Sequence, residues 1–399
     1  QMEWPLVPIL AEMELAGIEL DKAFLATFNK VISAKILELE ETICGLAGER
    51  FNIGSPAQLG QILFTKLGLS PAGIKRGKTG ISTAASELEK MRGLHPVINF
   101  IFEYRELVKL KNTYVDALPE LVSPVDNRIH TSFNQTIAQT GRLSSTNPNL
   151  QNIPVRTELG REIRKAFVAP EGRVFVSADY SQIELRVAAA LAKDGAMIET
   201  FKKGIDLHQQ TAAELFGVPL ESVTKQQRYA AKTINFGVLY GMSAHGLSVA
   251  TGMSREEAVS FIERYFEVRP ALAAYIEETK QFARQHEYTA TLFGRRRPCP
   301  EINSNNYQIA QAAERMAVNV PIQGTAADIY KLAMIALAPQ FDGETKLLLQ
   351  IHDELIAETA ASSAERVASV MKQTMESVYD LGVPLTVDTA IGKSWGKLK

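Results

Sequence analysis

The sequence predicts an α+β fold, and three observations carry that expectation. Residues 23 to about 122 show apolar positions at helical spacing, with turn signals between the segments. Arg173-Val-Phe-Val-Ser-Ala178 reads as a buried strand that ends at Asp179. Residues 346–357 read as strand, acidic turn and strand, with His352-Asp353-Glu354 at the tip. A length of 399 residues at 46% hydrophobic content suffices for an ordinary globular core and two or three substructures. No apolar run approaches the length of a membrane span, and no signal-like segment opens the chain. Cys44 and Cys299 match no metal or redox spacing, so a reduced, intracellular protein is expected. A formal net charge of −2 argues weakly against a nucleic-acid binder. Net charge is silent on distribution, however, and basic residues cluster in Lys75-Arg76-Gly77-Lys78 and Arg295-Arg296-Arg297.

Taken in order, Ser55-Pro56-Ala57-Gln58 has the form of a capping box with proline at the first helical position. Residues 96–118 follow with helical spacing at Val97, Ile101, Tyr104, Tyr114 and Leu118. Between these helices, residues 70–80 form a basic loop whose Gly77-Lys78-Thr79 invites comparison with a phosphate-binding P-loop. That motif needs a glycine at position 72, which is alanine, and a preceding apolar strand, which is missing. A loop tip touching a phosphate backbone through Lys75, Arg76 and Lys78 is the better functional expectation. Residues 140–154, rich in amides, hydroxyls, glycine and proline, should be an ordered loop. A helix is expected after Asp179, with Ile183, Val187 and Leu191 on its apolar face. Two more should fill residues 254–288, opened by the capping box Ser254-Arg-Glu-Glu257 and by Pro270. Residues 289–293 look like a hairpin arm. A long helix from about 306 to 337 should carry Arg315, Asn319 and Gln323 and kink at Pro321.

The most informative stretch is Arg228-Tyr-Ala-Ala-Lys232-Thr-Ile-Asn-Phe236-Gly-Val-Leu-Tyr240-Gly241. Residues four apart share a helix face, so Arg228, Lys232, Phe236 and Tyr240 form one stripe, cationic first and aromatic last. Such a stripe suits a ligand with phosphates at one end and a flat ring at the other. The alternative is an amphipathic core helix with a charged rim. The carboxylates weigh against that alternative. Asp179 and Asp353-Glu354 sit where apolar strands end, and acidic groups there need solvent, a partner or a cation. Hard oxygen donors without histidine or cysteine clusters suit Mg²⁺ held partly by substrate phosphates.

At these residues the sequence resembles the family A DNA polymerases. The match rests on Asp179-Tyr-Ser-Gln-Ile-Glu184-Leu-Arg, the 228–241 stretch and His352-Asp353-Glu354, in that order. It extends from Pro5 to about Trp395, through the Thr140-Gly-Arg-Leu-Ser-Ser loop and Val320-Pro-Ile-Gln-Gly-Thr-Ala-Ala-Asp328. The resemblance implies a right-hand polymerase fold with an antiparallel-sheet palm, a helical thumb and helical fingers. The palm would comprise residues 1–22, 124–205 and 306–399, the thumb 23–123 and the fingers 206–305.

The resemblance further implies template-directed addition of deoxynucleoside triphosphates to a primer 3′-hydroxyl, with two Mg²⁺ ions, for which Mn²⁺ could substitute. Asp179, Asp353 and the Tyr180 carbonyl are expected to hold the metal, with Glu354 in a lesser role. Arg228, Lys232 and His208 would meet the triphosphate, and Lys232 would protonate the leaving pyrophosphate. Phe236 would pack on the sugar and base, and Tyr240 would occupy the templating-base position until the fingers close. Glu184, beside Tyr180 and Gln182 in the nucleotide site, would exclude ribonucleotides. Arg142, Asn149, Gln151, Asn152, Arg315, Asn319, Gln323 and His352 would line the primer–template. Full-length relatives carry exonuclease or exonuclease-like domains ahead of this segment, so no proofreading is expected within this chain, which begins at Gln1. A monomer without membrane attachment is expected, cytoplasmic and nucleoid-associated in a bacterial setting, with organelle or viral origins left open. Two rival readings are a single-subunit RNA polymerase and an inactive homologue that only binds primer–template.

Overall fold

A four-stranded antiparallel sheet, ordered Lys346–Ile351, Glu354–Ala360, Arg173–Tyr180 and Val387–Gly392, organises the chain. The computed structural model describes residues 2–77, 80–154 and 157–398. Lys78, expected at a phosphate backbone, lies outside the described residues. The Arg173–Tyr180 strand is central, and Val174, Phe175, Val176 and Ala178 along it are all buried. That double-sided burial explains why it reads as a continuous apolar run rather than an alternating one. The helix Ala364–Ser377 packs on this strand and on Val387–Gly392, while Glu3–Ala16 packs on Lys346–Ile351. The helix Tyr307–Leu337 braces the whole assembly, touching Glu3–Ala16, Ile183–Ala192, Pro270–His286 and Ala364–Ser377.

Two helical regions extend from this body. The first contains Lys22–Ala47, which starts where the Asp21 carboxylate accepts the Phe24 amide at 2.8 Å and ends at left-handed Gly48. Its buried row of Leu25, Phe28, Ile32, Ile36, Leu39 and Ile43 packs on Val97–Leu110. The second contains Leu207–Phe216 and Lys225–Leu239, lying side by side, followed by Arg255–Val268 and Pro270–His286.

Several local expectations are met, and others change. Ser254 and Glu257 exchange both bonds of a capping box, at 3.1 and 2.7 Å. At Ser55 the hydroxyl accepts from Gln58, but the Gln58 side chain bonds the Asn52 amide at 2.7 Å. The Ser55 amide already donates to the Asn52 carbonyl, so the reciprocal bond moves back along the chain. The strand–turn–strand at 346–357 forms, with Glu354 paired inside the second strand rather than in the turn. The basic loop forms a short hairpin, Arg76–Gly77 with Gly80–Ile81, and not the strand–loop–helix of a P-loop. The long helix runs through Pro321 as one element. No helix among the described residues is long and apolar enough to cross a membrane.

Candidate active site

The carboxylates meet at one end of the central sheet. Asp179 stands opposite Glu354 on one neighbouring strand and Asp388 on the other. Directly opposed residues share a sheet face, with Cβ atoms roughly 5 Å apart, and like charges there repel. Asp353 is brought alongside because the Tyr180 amide donates to the Asp353 carbonyl at 3.0 Å. His352 turns the chain with a left-handed φ of 53°. Two arginines offset part of the charge. Arg164 lies 4.0 Å from the buried Glu354, and Arg142 lies 3.8 Å from Asp353. Burial pushes the Arg164 pKa down to about 10, against the opposing pull of Glu354.

This donor set fits a hard divalent cation. Among the described residues, no three His, Cys, Asp or Glu side chains already converge as a metal cage. Mg²⁺ does not require one, because it keeps water and substrate phosphates around one or two protein carboxylates. Asp179 and Asp353 meet that requirement.

Facing chemistry is supplied by the helix Lys225–Leu239, capped by Thr224 and Gln227 in a reciprocal box. Arg228, Lys232 and Tyr240 are exposed and Phe236 is half-buried, while Ala230, Ala231, Ile234, Asn235 and Val238 turn inward. The four-residue stripe is therefore the accessible face. Arg228 donates through Nε (2.9 Å) and Nη2 to Oδ2 of Asp206. The other oxygen of Asp206 accepts the His208 and Gln209 amides, at 2.8 and 3.2 Å. His208 is itself buried, its ring 5.6 Å from that of Phe236 and its Nδ1 3.1 Å from the Asn235 amide nitrogen. Burial pushes the His208 pKa down to about 4; Asp206 opposes this, while Arg228 and Lys232 add to it.

One chain of contacts joins the two halves. The Tyr240 hydroxyl donates to Glu184, which also accepts from Arg142, and Arg142 neighbours Asp353. Although the ring is exposed, desolvation of the hydroxyl end, partly buried against Glu184 and reinforced by the Glu184 charge, raises the Tyr240 pKa well above its ordinary value. Gln182 begins the Glu184 helix from a left-handed φ of 55°.

The residues expected along a primer–template divide into two groups. Arg315, Asn319 and Gln323 share one accessible face of Tyr307–Leu337, and exposed His352 stands at the sheet end. Lys75 and Arg76 are exposed at the start of the 76–81 hairpin. By contrast, Gln151 directs its side-chain amide to Gln350 at 3.0 Å and to Leu143. The Asn149 side chain caps the turn at Gln151, and the Asn152 carbonyl accepts from Tyr114 at 2.6 Å. Gln151 and Asn149 therefore brace the loop. Asp206, Asn235 and Asp388 join the site without being expected from the sequence. Asp206 had a local signal, an aspartate opening the 207–216 helix; the other two depend on tertiary pairing.

A profile of DNA polymerase family A matches residues 22–397. DNA polymerase I, thermostable, from Thermus thermophilus is 52% identical over 397 residues, covering 99% of this chain and 48% of that protein. DNA polymerase I from Deinococcus radiodurans is 49% identical over 396 residues, covering 99% of this chain and 41% of that protein. The chain thus spans about half the length of the curated relatives it matches, or less. A solved structure described as the POL domain of Pol1 from M. smegmatis, in complex with DNA primer-template and dNTP, superposes with a TM-score of 0.93 at 42% identity. That match covers 100% of this chain and 70% of the other. The α+β architecture is accordingly the right-hand polymerase fold, and the chain belongs to DNA polymerase family A.

Proposed function

We propose that this chain is a template-directed DNA polymerase, extending a primer 3′-hydroxyl with deoxynucleoside triphosphates and releasing pyrophosphate. The observation that carries the reading is the pairing of two halves: Asp179 and Asp353 at one sheet end, linked through Arg142, Glu184 and Tyr240 to the Arg228–Lys232–Phe236 face. The M. smegmatis polymerase domain is described as a complex with DNA primer-template and dNTP, which supports carrying both partners over. In this reading residues 1–22, 124–205 and 306–399 are palm, 23–123 thumb and 206–305 fingers. The central sheet within the first set and the two helical regions outside it support the division.

Asp179, Asp353 and the Tyr180 carbonyl would hold the Mg²⁺, two ions in all, which when bound activate the primer hydroxyl and steady the triphosphate charge. Arg228 and Lys232, exposed on one helix face, neutralise the triphosphate, and Lys232 supplies the proton to the departing pyrophosphate. His208 reaches that group only through a local adjustment, because it is buried. Its Nδ1 faces an Asn235 amide nitrogen that can only donate, so its N–H lies on Nε2. Phe236 packs on the nucleotide, Tyr240 holds the templating position, and Glu184 blocks a 2′-hydroxyl. Arg142, Arg315, Asn319, Gln323 and His352 follow the duplex near the primer end, and Lys75 and Arg76 meet its backbone further away. The relatives named above are bacterial, and a cytoplasmic, nucleoid-associated location belongs to this reading.

The test is Mg²⁺-dependent extension of a primed template, run with deoxy- and ribonucleotides in parallel. Deoxynucleotide extension that stops on chelation is expected. Preference for ribonucleotides would favour an RNA polymerase, and binding without extension would favour an inactive homologue.

A further inference from the structure

Arg228 has five N–H donors on a rigid planar fork, and Asp206 engages only one edge of it. Nε and Nη2 converge on the single oxygen Oδ2, at 2.9 Å for Nε, which turns the Nη1 edge away from the carboxylate. The Arg228 side chain is still 44% exposed, so the paired arginine remains accessible to a ligand. The second oxygen of Asp206 caps the Leu207–Phe216 helix through the His208 and Gln209 amides. One carboxylate therefore sets the position of Arg228 and, through the helix start, that of His208. A half-exposed ion pair of this kind contributes little to stability. The cap alone does not call for a negative charge beside a triphosphate site, because asparagine serves a helix start as well.

We propose that Asp206 is a positioning residue for the incoming triphosphate, gripping Arg228 by its Nε–Nη2 edge so that Nη1 is presented to a phosphate oxygen. This rests on the polymerase reading above and goes beyond it in assigning a role to a carboxylate that touches no substrate. Asp206 stays paired while the nucleotide binds. It does not compete with the triphosphate for the arginine.

The test is single-nucleotide extension with Asp206→Asn and Asp206→Ala. Asparagine caps a helix as well as aspartate does, so D206N removes the charge and keeps the helix start. For D206N the KM for the deoxynucleotide should rise about tenfold, the loss of one well-oriented charge-assisted contact. Its kcat, its primer–template Kd and its melting temperature should stay at wild-type values. D206A should show the same rise in KM together with a lower melting temperature. In an Arg228→Ala background, D206N should add no further rise. An unchanged KM in D206N, or a KM change that persists without Arg228, overturns the assignment. A lower KM in D206N overturns it too, since it would make Asp206 a competitor of the triphosphate. If the wild-type chain extends no primer, the polymerase reading falls and this inference falls with it; wild-type extension with an indifferent D206N removes this inference alone.

Discussion

The phenol of Tyr240 donates a hydrogen bond to the carboxylate of Glu184, tying the C-terminal end of the Lys225–Leu239 helix to the helix that follows Asp179. Glu184 is buried and also accepts from Arg142, so its carboxylate is satisfied from two sides. A buried, fixed carboxylate forms a rigid wall, which is what exclusion by shape requires.

Glu184→Ala should therefore raise ribonucleotide incorporation by about tenfold or more, the scale on which a packed pocket distinguishes small groups. Glu184→Gln keeps the bulk and should keep most of the discrimination. Ratios of kcat/KM for paired ribo- and deoxynucleotides check both. If the two variants lose selectivity equally, charge rather than shape guards the 2′ position.

His208 makes stability depend on pH. Its folded pKa of about 4 lies below the ordinary 6.5, so between those values the unfolded chain binds the proton more readily. The stabilisation from burying a neutral ring is complete above pH 6.5 and declines as pH falls towards 4, by an amount on the order of 1–3 kcal/mol. Denaturant unfolding across that window should be steeper in pH for the wild type than for His208→Gln. Nitrogen NMR of the ring should find Nδ1 unprotonated at neutral pH.

Phe236 should tune acceptance of chain terminators. Phe236→Tyr, on the exposed stripe beside His208, is expected to ease incorporation of 2′,3′-dideoxynucleotides, as the family resemblance implies. Termination assays with mixed nucleotide pools measure it directly.

Gly241 occupies the left-handed region, with φ of 65°, and a Cβ there would press on the side chain of Arg315. Gly241→Ala should cost about 1–2 kcal/mol in stability, allowing for some yielding of the arginine stem. Because Tyr240 is the neighbouring residue, the same change should slow extension. Thermal melts and single-turnover rates separate the two effects.

Legibility in the sequence followed the range of the interactions. The Arg228–Tyr240 stripe was readable because helical period fixes which residues share a face, and all four are on the accessible side. The strand ending near Asp179 was readable because both of its faces are covered, leaving a solid apolar run. The Val387–Gly392 strand was not, because its outer residues Asp388 and Thr389 are exposed and it pairs with a strand some 200 residues away. Asp388 entered the acidic row unseen for the same reason. Asn235 looked like one polar residue in a helix, and only the packing of the Leu207–Phe216 helix against it reveals the bond to His208. The amide-rich loop at 140–154 was readable as ordered. Whether each amide faces outward or, like Gln151, inward depends on strand Lys346–Ile351, and no local pattern encodes that.

In the proposed reading, Asp179 and Asp353 together perform metal-dependent nucleotide transfer. The most direct measurement is primer extension by Asp179→Ala and Asp353→Ala alongside primer–template binding by each. Extension should fall by at least about a thousandfold, on the order of 4 kcal/mol of lost transition-state stabilisation, while the Kd for DNA changes little. Extension retained by either variant at near wild-type rates would contradict the account.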